Sequence, residues 1–213
     1  MTKNDTSRDE YIKAIYKLTE LYGSATNKKL ADHLKVSAPS VTEMVKRLID
    51  ADDVYADKKA IYLTEKGIED ARKLLTKHRL WEIFLVEYLG YSWQDVHADA
   101  DKLEHATSVR LKDRLNDFLN HPKHCPHGSE IFENHPNVDT LVRLSDMKEG
   151  EVKRLHKIPD DKEFLRYLED KGITLNKSIK VVRIDDFDKS IIIEVDGAKL
   201  FITEQVAHKM KMI

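Results

Sequence analysis

Val36-Ser37-Ala38-Pro39-Ser40-Val41-Thr42-Glu43-Met44-Val45-Lys46-Arg47-Leu48 is the stretch that decides the fold. Ser37 is a helix N-cap residue, and Pro39 falls in the first turn, where its missing N–H does little harm. Val41, Met44, Val45 and Leu48 then recur at helical spacing as one apolar stripe. Ahead of it, Asn27 can cap a short helix ending at Leu34, with Leu30, Ala31 and Leu34 turned inward. Lys35-Val36 leaves only a tight connection between the two helices. After it, Val54-Tyr55-Ala56 and Ile61-Tyr62-Leu63 form two short strands around Asp57-Lys58-Lys59-Ala60, a hairpin with a basic tip. Further upstream, Ser7-Arg8-Asp9-Glu10 has the Ser-x-x-Glu form of a capping box. Tyr11, Ile12, Ile15, Tyr16, Leu18 and Tyr22 form the apolar face of the helix that follows, which Gly23 ends. Three helices and a two-stranded wing, with a short turn between helices two and three, make a winged helix-turn-helix. The alternative is a small helical domain that binds protein or nothing.

In that arrangement the start of the third helix enters the major groove. Ser37, Ala38, Pro39, Ser40 and Thr42 are the residues placed there, with hydroxyls for base edges and apolar groups for thymine methyls. Glu43 can accept from a cytosine amine or be a solvated helix residue. Lys46, Arg47, Lys58 and Lys59 are expected phosphate contacts, the first two having a solvated helix face as their alternative. Few long side chains stand at the groove positions, so duplex shape supplies part of the specificity.

Thr64 caps the next helix, and residues 65–120 are helical in pattern. Leu74, Leu75, Leu80, Trp81, Phe84, Leu85, Tyr88 and Leu89 are too many large apolar groups for one exposed helix face, which points to a subunit interface. Residues 121–150 turn irregular, with His121-Pro-Lys-His-Cys-Pro-His-Gly128 and His135-Pro136. A helix from Asp161 to Asp170 follows, then β-rich segments at Ile179–Ile184, Ser190–Val195 and Ala198–Ile202, with Asp196-Gly197 as a hairpin turn. The expected fold is mainly α with a small β part. It comprises a winged helix-turn-helix over 1–73, a helical metal-binding and dimerisation domain over 74–138, and an SH3-like β-barrel over 139–213.

Composition narrows the class. Of 213 residues, 41% are apolar and 35% charged, enough for a real core. No apolar run approaches the roughly 18 residues of a membrane helix, and the N-terminus has no apolar stretch of a secretory signal. One cysteine makes no internal disulfide and fits a reducing cytosol. Lys+Arg of 36 against Asp+Glu of 38 gives a net charge of −2, so the protein is not generally polycationic. Ten histidines are unusual, and most of them crowd between His78 and His135.

Four residues apart on a helix, His78 and Glu82 share a face. His97, Asp101, Glu104 and His105 likewise fall within one arc of roughly 100°. Cys125 and His127 lie on the loop that follows. Oxygen and nitrogen donors with at most one sulfur suit a six-coordinate divalent ion, and a predominance of oxygen favours Mn²⁺. Each pair alone is weak, because His and Glu are common on solvated helices. Cys125 and His127 equally suit a zinc loop with His121 and His124, and Glu10 has the capping box as its alternative role.

With these motifs assembled, the chain resembles the diphtheria toxin repressor/manganese transport regulator (DtxR/MntR) family. The longer, manganese-responsive members with a C-terminal SH3-like (FeoA-like) domain are the nearest type. The resemblance covers essentially the whole chain. It rests on Asp9-Glu-Tyr-Ile12, Val36–Leu48, Leu63-Thr-Glu-Lys-Gly67, Lys77-His-Arg-Leu-Trp-Glu82, Val96-His97, Leu103-Glu-His105 and Pro122-Lys-His-Cys-Pro-His-Gly128. It implies two metal sites per subunit. The primary site falls on Glu10, Asp101, Glu104, His105, Cys125 and His127. The second falls on His78, Glu82, His97 and, from the C-terminal domain, Asp160. The manganese members usually carry Asp where Glu10 stands and Glu where Asp101 stands, so two side-chain lengths are exchanged. The resemblance further implies a cytoplasmic homodimer that binds double-stranded operator DNA and represses metal-uptake genes. It takes Mn²⁺, with Fe²⁺ or Zn²⁺ as alternatives, and has no membrane partner and no small organic substrate. Two rivals stand beside it. One is a metal-dependent hydrolase, although no nucleophile, acid/base pair or Gly-rich phosphate loop accompanies the cluster. The other is a winged-helix sensor of an organic ligand.

Overall fold

The computed structural model describes residues 3–135 and 140–213, with side chains from Ser7 onward. Pro136 and the expected boundary at 138/139 lie outside the described residues. The chain divides into two compact units, one of Met1–His78 with Lys102–Val109, the other of Arg79–Asp101 with Arg110–Ile213.

In the first unit, α1 (Lys3–Tyr22), α2 (Asn27–Leu34) and α3 (Ala38–Asp50) precede a hairpin of β1 (Val54–Asp57) and β2 (Ala60–Leu63). The α3 stripe is buried as its spacing requires: Val41, Val45 and Leu48 pack with Ile12, Ile15, Leu30, Val54 and Ile61. Each fully buried aliphatic side chain of this kind contributes about 2 kcal/mol. Ser37 caps α3, its hydroxyl accepting from Ser40 N at 3.3 Å. Lys35, with φ of 56°, makes the tight turn between α2 and α3. Strand β2 also pairs with Ala25, Ile61 N donating to Ala25 O at 3.0 Å, which anchors the wing to the α1–α2 connection.

Two local readings are corrected. Thr26, not Asn27, caps α2, its hydroxyl accepting from Lys29 N at 3.2 Å, while Asn27 is already the first helical residue. Helix α1 begins at Lys3, so Ser7 and Glu10 lie inside it and form no capping box. An Ser-x-x-Glu pattern caps only when the Ser backbone is extended, and here the helix runs through it.

Helix α4 (Glu65–Leu89) starts after Thr64, whose hydroxyl accepts from Gly67 N at 3.1 Å. A Cβ on Gly67 would stand 2.1 Å from Asp53 O, so only glycine lets α4 approach the start of the wing this closely. Buried Asp53 is the joint. It accepts from Arg8 Nε and Nη2, both at 2.6 Å, and from Lys66 Nζ at 2.7 Å.

In the second unit, α5 (His97–Ala106) contributes its first half, followed by α6 (Val109–Phe118) and the loop after it. Leu80, Ile83, Leu115, Leu119, Cys125 and Ile131 form one small core. The C-terminal part runs through β3 (Val142–Arg143), β4 (Val152–Lys157), α7 (Lys162–Asp170), β5 (Ser178–Ile184), β6 (Ile191–Val195), β7 (Ala198–Ile202), α8 (Glu204–Lys209) and β8 (Lys211–Met212). Among the described residues these strands form an antiparallel sheet in the order β3-β8-β4-β5-β6-β7. Alternating residues Ile191, Ile193 and Val195 of β6 point into a core shared with Phe164, Leu165 and Leu168 of α7. The Asp196-Gly197 turn closes β6 on β7 with both residues at positive φ, 49° and 81°.

Candidate metal centres and DNA-binding surface

In the first unit, α1 presents Asp9, Glu10 and Lys13, α5 presents Glu104 and His105, and α4 presents His78. His105 Nε2 donates to Glu10 Oε1 at 2.8 Å and stands 3.5 Å from Glu104 Oε1. Its Nδ1 is 3.8 Å from Asp9 Oδ2. His78 Nδ1 stands 2.6 Å from Glu104 Oε2. Lys13 Nζ bridges Glu104 Oε1 at 2.6 Å and Glu10 Oε1 at 3.0 Å. Burial works against the Glu104 charge, but His78 and Lys13 together hold its carboxyl below the usual value. Burial pushes Asp9 up. Glu10, Glu104 and His105 each place a donor atom within 4.8 Å of the others. Two carboxylates and an imidazole meeting this closely, with Glu104 fully buried, are a donor set that fits a hard divalent cation.

The second unit holds another set around Glu82 of α4. Its Oε1 is 3.3 Å from His127 Nδ1 and 3.5 Å from His97 Nδ1. Asp160 Oδ2 is 3.5 Å from the same His97 nitrogen. Asp101 Oδ2 is 3.5 Å from the opposite ring nitrogen, Nε2. Cys125 Sγ lies 3.9 Å from His127 Nδ1. The His127 Nε2–H donates to Trp93 O at 2.8 Å, which orients the ring with Nδ1 toward Glu82. Burial lowers the His127 pKa, but Cys125 and Glu82 outweigh it and push the imidazole up to about 11. Glu82, Cys125 and His127 are all buried, with donor atoms within 4.8 Å of one another.

Cys125 and His127, which the resemblance groups with Glu10 and His105, stand beside Glu82 within the second unit. The loop explains why. His127 O accepts from Ile158 N at 3.1 Å, and Cys125 N donates to Ser129 O at 2.8 Å. Gly128 has φ of +80°, and a Cβ there would lie 1.8 Å from His156 O. The loop is thereby fastened to the end of β4, two residues before Asp160. His121 and His124 do not join the set. Asp101 pairs with His97, and His78 with Glu104.

The α3 positions Ser37, Ala38, Pro39, Ser40, Thr42, Glu43, Lys46 and Arg47 are exposed, as are Lys58 and Lys59 at the wing tip. Some hydroxyls are engaged locally. Thr42 donates to Ala38 O at 3.1 Å and accepts from Asn27 Nδ2 at 3.1 Å. Ser37 and Ser40 hydroxyls are 2.8 Å apart. A groove of about 570 Å³ opens between the start of α2, α3 and the wing, lined by Thr26, Asn27, Lys28, Lys58 and Lys59 among others. Lys28 was missed from sequence because its neighbours in this groove come from the distant wing. Lys13 was missed as a site residue, although its place one turn after Glu10 was a usable signal.

Comparison with known proteins gives three matches along the chain. Residues 5–60 match the iron dependent repressor N-terminal DNA binding domain. Residues 64–133 match the iron dependent repressor metal binding and dimerisation domain, and residues 142–212 the FeoA domain. The HTH-type transcriptional regulator MntR of Listeria monocytogenes is 32% identical over 149 residues, 69% of this chain and 96% of MntR. The chain belongs to the DtxR/MntR family of metal-dependent transcriptional repressors. A further member of the family, the iron-dependent repressor IdeR of Mycobacterium leprae, is 29% identical over 219 residues, covering 95% of this chain and 94% of IdeR. The solved structure of the manganese regulator SloR aligns with a TM-score of 0.88 at 36% identity over 97% of both chains. These DtxR/MntR relatives are regulators of transcription, not enzymes.

Proposed function

We propose that this protein is a Mn²⁺-activated, homodimeric repressor that acts in the cytoplasm on the operators of metal-uptake genes. The observation that carries the reading is the convergence of Glu10 from the helix-turn-helix part with Glu104 and His105 of α5. Glu10, Glu104 and His105 would hold one ion. Glu82, His97, Cys125, His127 and Asp160 would hold the other. Asp101 in the first set and His78 in the second are carried by the helical periodicity of α5 and α4 and by the family resemblance. A bound divalent ion supplies positive charge that lets buried carboxylates from separate elements stay together. Glu10 then fixes α1, and with it α3, for a pseudo-palindromic operator. DNA-competent geometry and metal uptake are linked, so operator DNA tightens metal binding by the factor by which metal tightens DNA binding.

Oxygen-rich donors support manganese in the first set, as do the names of MntR and SloR. A second reading is supported by Cys125: a buried thiol beside His127 favours a softer ion such as Zn²⁺ or Fe²⁺ in the second set. Fluorescence anisotropy with labelled operator DNA under Mn²⁺, Fe²⁺, Zn²⁺ and chelator tests both. Mn²⁺ should give the tightest complex and chelator should abolish it. Equal binding with chelator would reject metal activation, and tightest binding with Zn²⁺ or Fe²⁺ would favour the second reading.

A further inference from the structure

Lys13 is 4% exposed, in the same first-unit cluster as Glu10, Glu104 and His105. A buried ammonium is costly unless it is paired, and here the pairing is with the proposed ligands themselves. Its Nζ is 2.6 Å from Glu104 Oε1 and 3.0 Å from Glu10 Oε1. Both atoms also face His105 Nε2, at 3.5 Å and 2.8 Å. The ammonium thus shares both carboxylate oxygens with the imidazole that completes the donor set.

We propose that Lys13 is a tethered cation of this cluster: it holds Glu10 and Glu104 together before metal binds and competes with the ion for their Oε1 atoms. The proposal rests on the metal reading of the cluster. The geometry argues for it directly, because the ammonium sits against the two Oε1 atoms that a cation bridging Glu10 and Glu104 would also take. Two positive charges at that range in a buried site repel each other, so the ion must displace the ammonium or bind against it. The short lysine tether, starting one turn from Glu10, keeps the ammonium from leaving as a free ion would. Lys13 is therefore a positioning residue that sets affinity, not a ligand.

Full-length wild type, Lys13→Gln, Lys13→Arg and Glu104→Gln are titrated with Mn²⁺ against a fluorescent chelator, with circular dichroism for folding. Lys13→Gln should bind Mn²⁺ about tenfold or more tightly and melt lower than wild type without metal. Lys13→Arg keeps the charge and grips carboxylates bidentately, so it should bind Mn²⁺ more weakly than wild type. A folded Lys13→Gln with wild-type affinity overturns the proposal. Should that variant not fold, Lys13→Arg decides: Mn²⁺ affinity equal to or above wild type overturns it. If Glu104→Gln and wild type take up the same Mn²⁺, the metal reading falls and the proposal falls with it. If those two differ while Lys13→Gln matches wild type, only the role of Lys13 fails.

Discussion

His105 Nε2 donates to Glu10 Oε1 across 2.8 Å, joining residues 95 positions apart. Helix α1 carries one end of this contact and packs in the same core as α3 through Ile12, Ile15 and Val41. In the proposed reading, disturbing the contact therefore reaches the proposed DNA-binding face of α3. Glu10→Gln and His105→Ala should each weaken Mn²⁺-dependent operator binding by about tenfold or more, since even the partners that orient a metal ligand are worth that much. Chelator-treated protein should bind DNA as weakly as the variants. Anisotropy titrations at fixed salt check this, and variants that match wild type at saturating Mn²⁺ and at limiting Mn²⁺ alike would refute it.

His127 gives the metal-free protein a pH signature. Its imidazole is raised from 6.5 to about 11: burial opposes the charge, while Cys125 and Glu82 prevail. A group raised on folding contributes fully below its unfolded value, and that contribution is lost as pH climbs through the folded value. Metal-free protein should thus lose thermal stability between about pH 7 and pH 10, and His127→Gln should flatten the loss. A metal ion at the proposed site would displace the Nδ1 proton, so calorimetry in buffers of different ionisation enthalpy should report proton release on metal binding near neutral pH. Parallel melting profiles for the two proteins would dismiss His127 as the source.

Much of this was readable in the chain. The α3 stripe, the Ser37 cap, the wing and the β6–β7 turn follow from local rules: periodicity, capping and turn chemistry. The start of α1 misled because Ser7 and Glu10 have the spacing of a capping box, while the helix simply continues upstream to Lys3. The grouping of the candidate ligands was less legible. That Cys125 and His127 stand by Glu82 depends on one backbone bond from Ile158 N to His127 O and on the room that Gly128 leaves for His156 O. Neither is a matter of spacing. Lys13 escaped notice because a lysine one turn from a glutamate usually marks a solvated pair; only the arrival of Glu104 makes it part of a buried cluster.

Asp53 makes the first unit sensitive to acid. Burial would raise its carboxyl, but Arg8 and Lys66 hold it below the ordinary 3.8. A depressed carboxylate contributes stability above its unfolded value and loses it as pH falls through the folded one. Unfolding of the wing region should therefore steepen below about pH 4. Asp53→Asn should cost about 1–3 kcal/mol at neutral pH, because the hydrogen bonds from Arg8 and Lys66 to a buried carboxylate are weakened while Arg8 keeps its bond to Asp70 at 2.8 Å. Urea melts of both proteins at pH 7 and pH 3.5 measure it. A cost that is the same at both pH values would mean that the folded protein does not hold the Asp53 carboxyl below its ordinary value.

Lys28, Lys58 and Lys59 line one groove beside the start of α3, and their side chains can reach a phosphate backbone passing over it. Each lysine that neutralises a phosphate releases about 0.9 counterion from duplex DNA, which appears in the slope of log affinity against log salt. Replacing Lys58 and Lys59 by Ala should lower that slope by about two per subunit, and adding Lys28→Ala by about one more. Affinity should fall similarly for operator and unrelated duplexes, since phosphate contacts carry no sequence information. The slope should respond with Mn²⁺ saturating, so that metal uptake does not enter. A slope unchanged by the Lys58/Lys59 pair would remove the wing tip from the interface. A drop from that pair without a further one from Lys28 would place the DNA backbone over the wing but clear of α2.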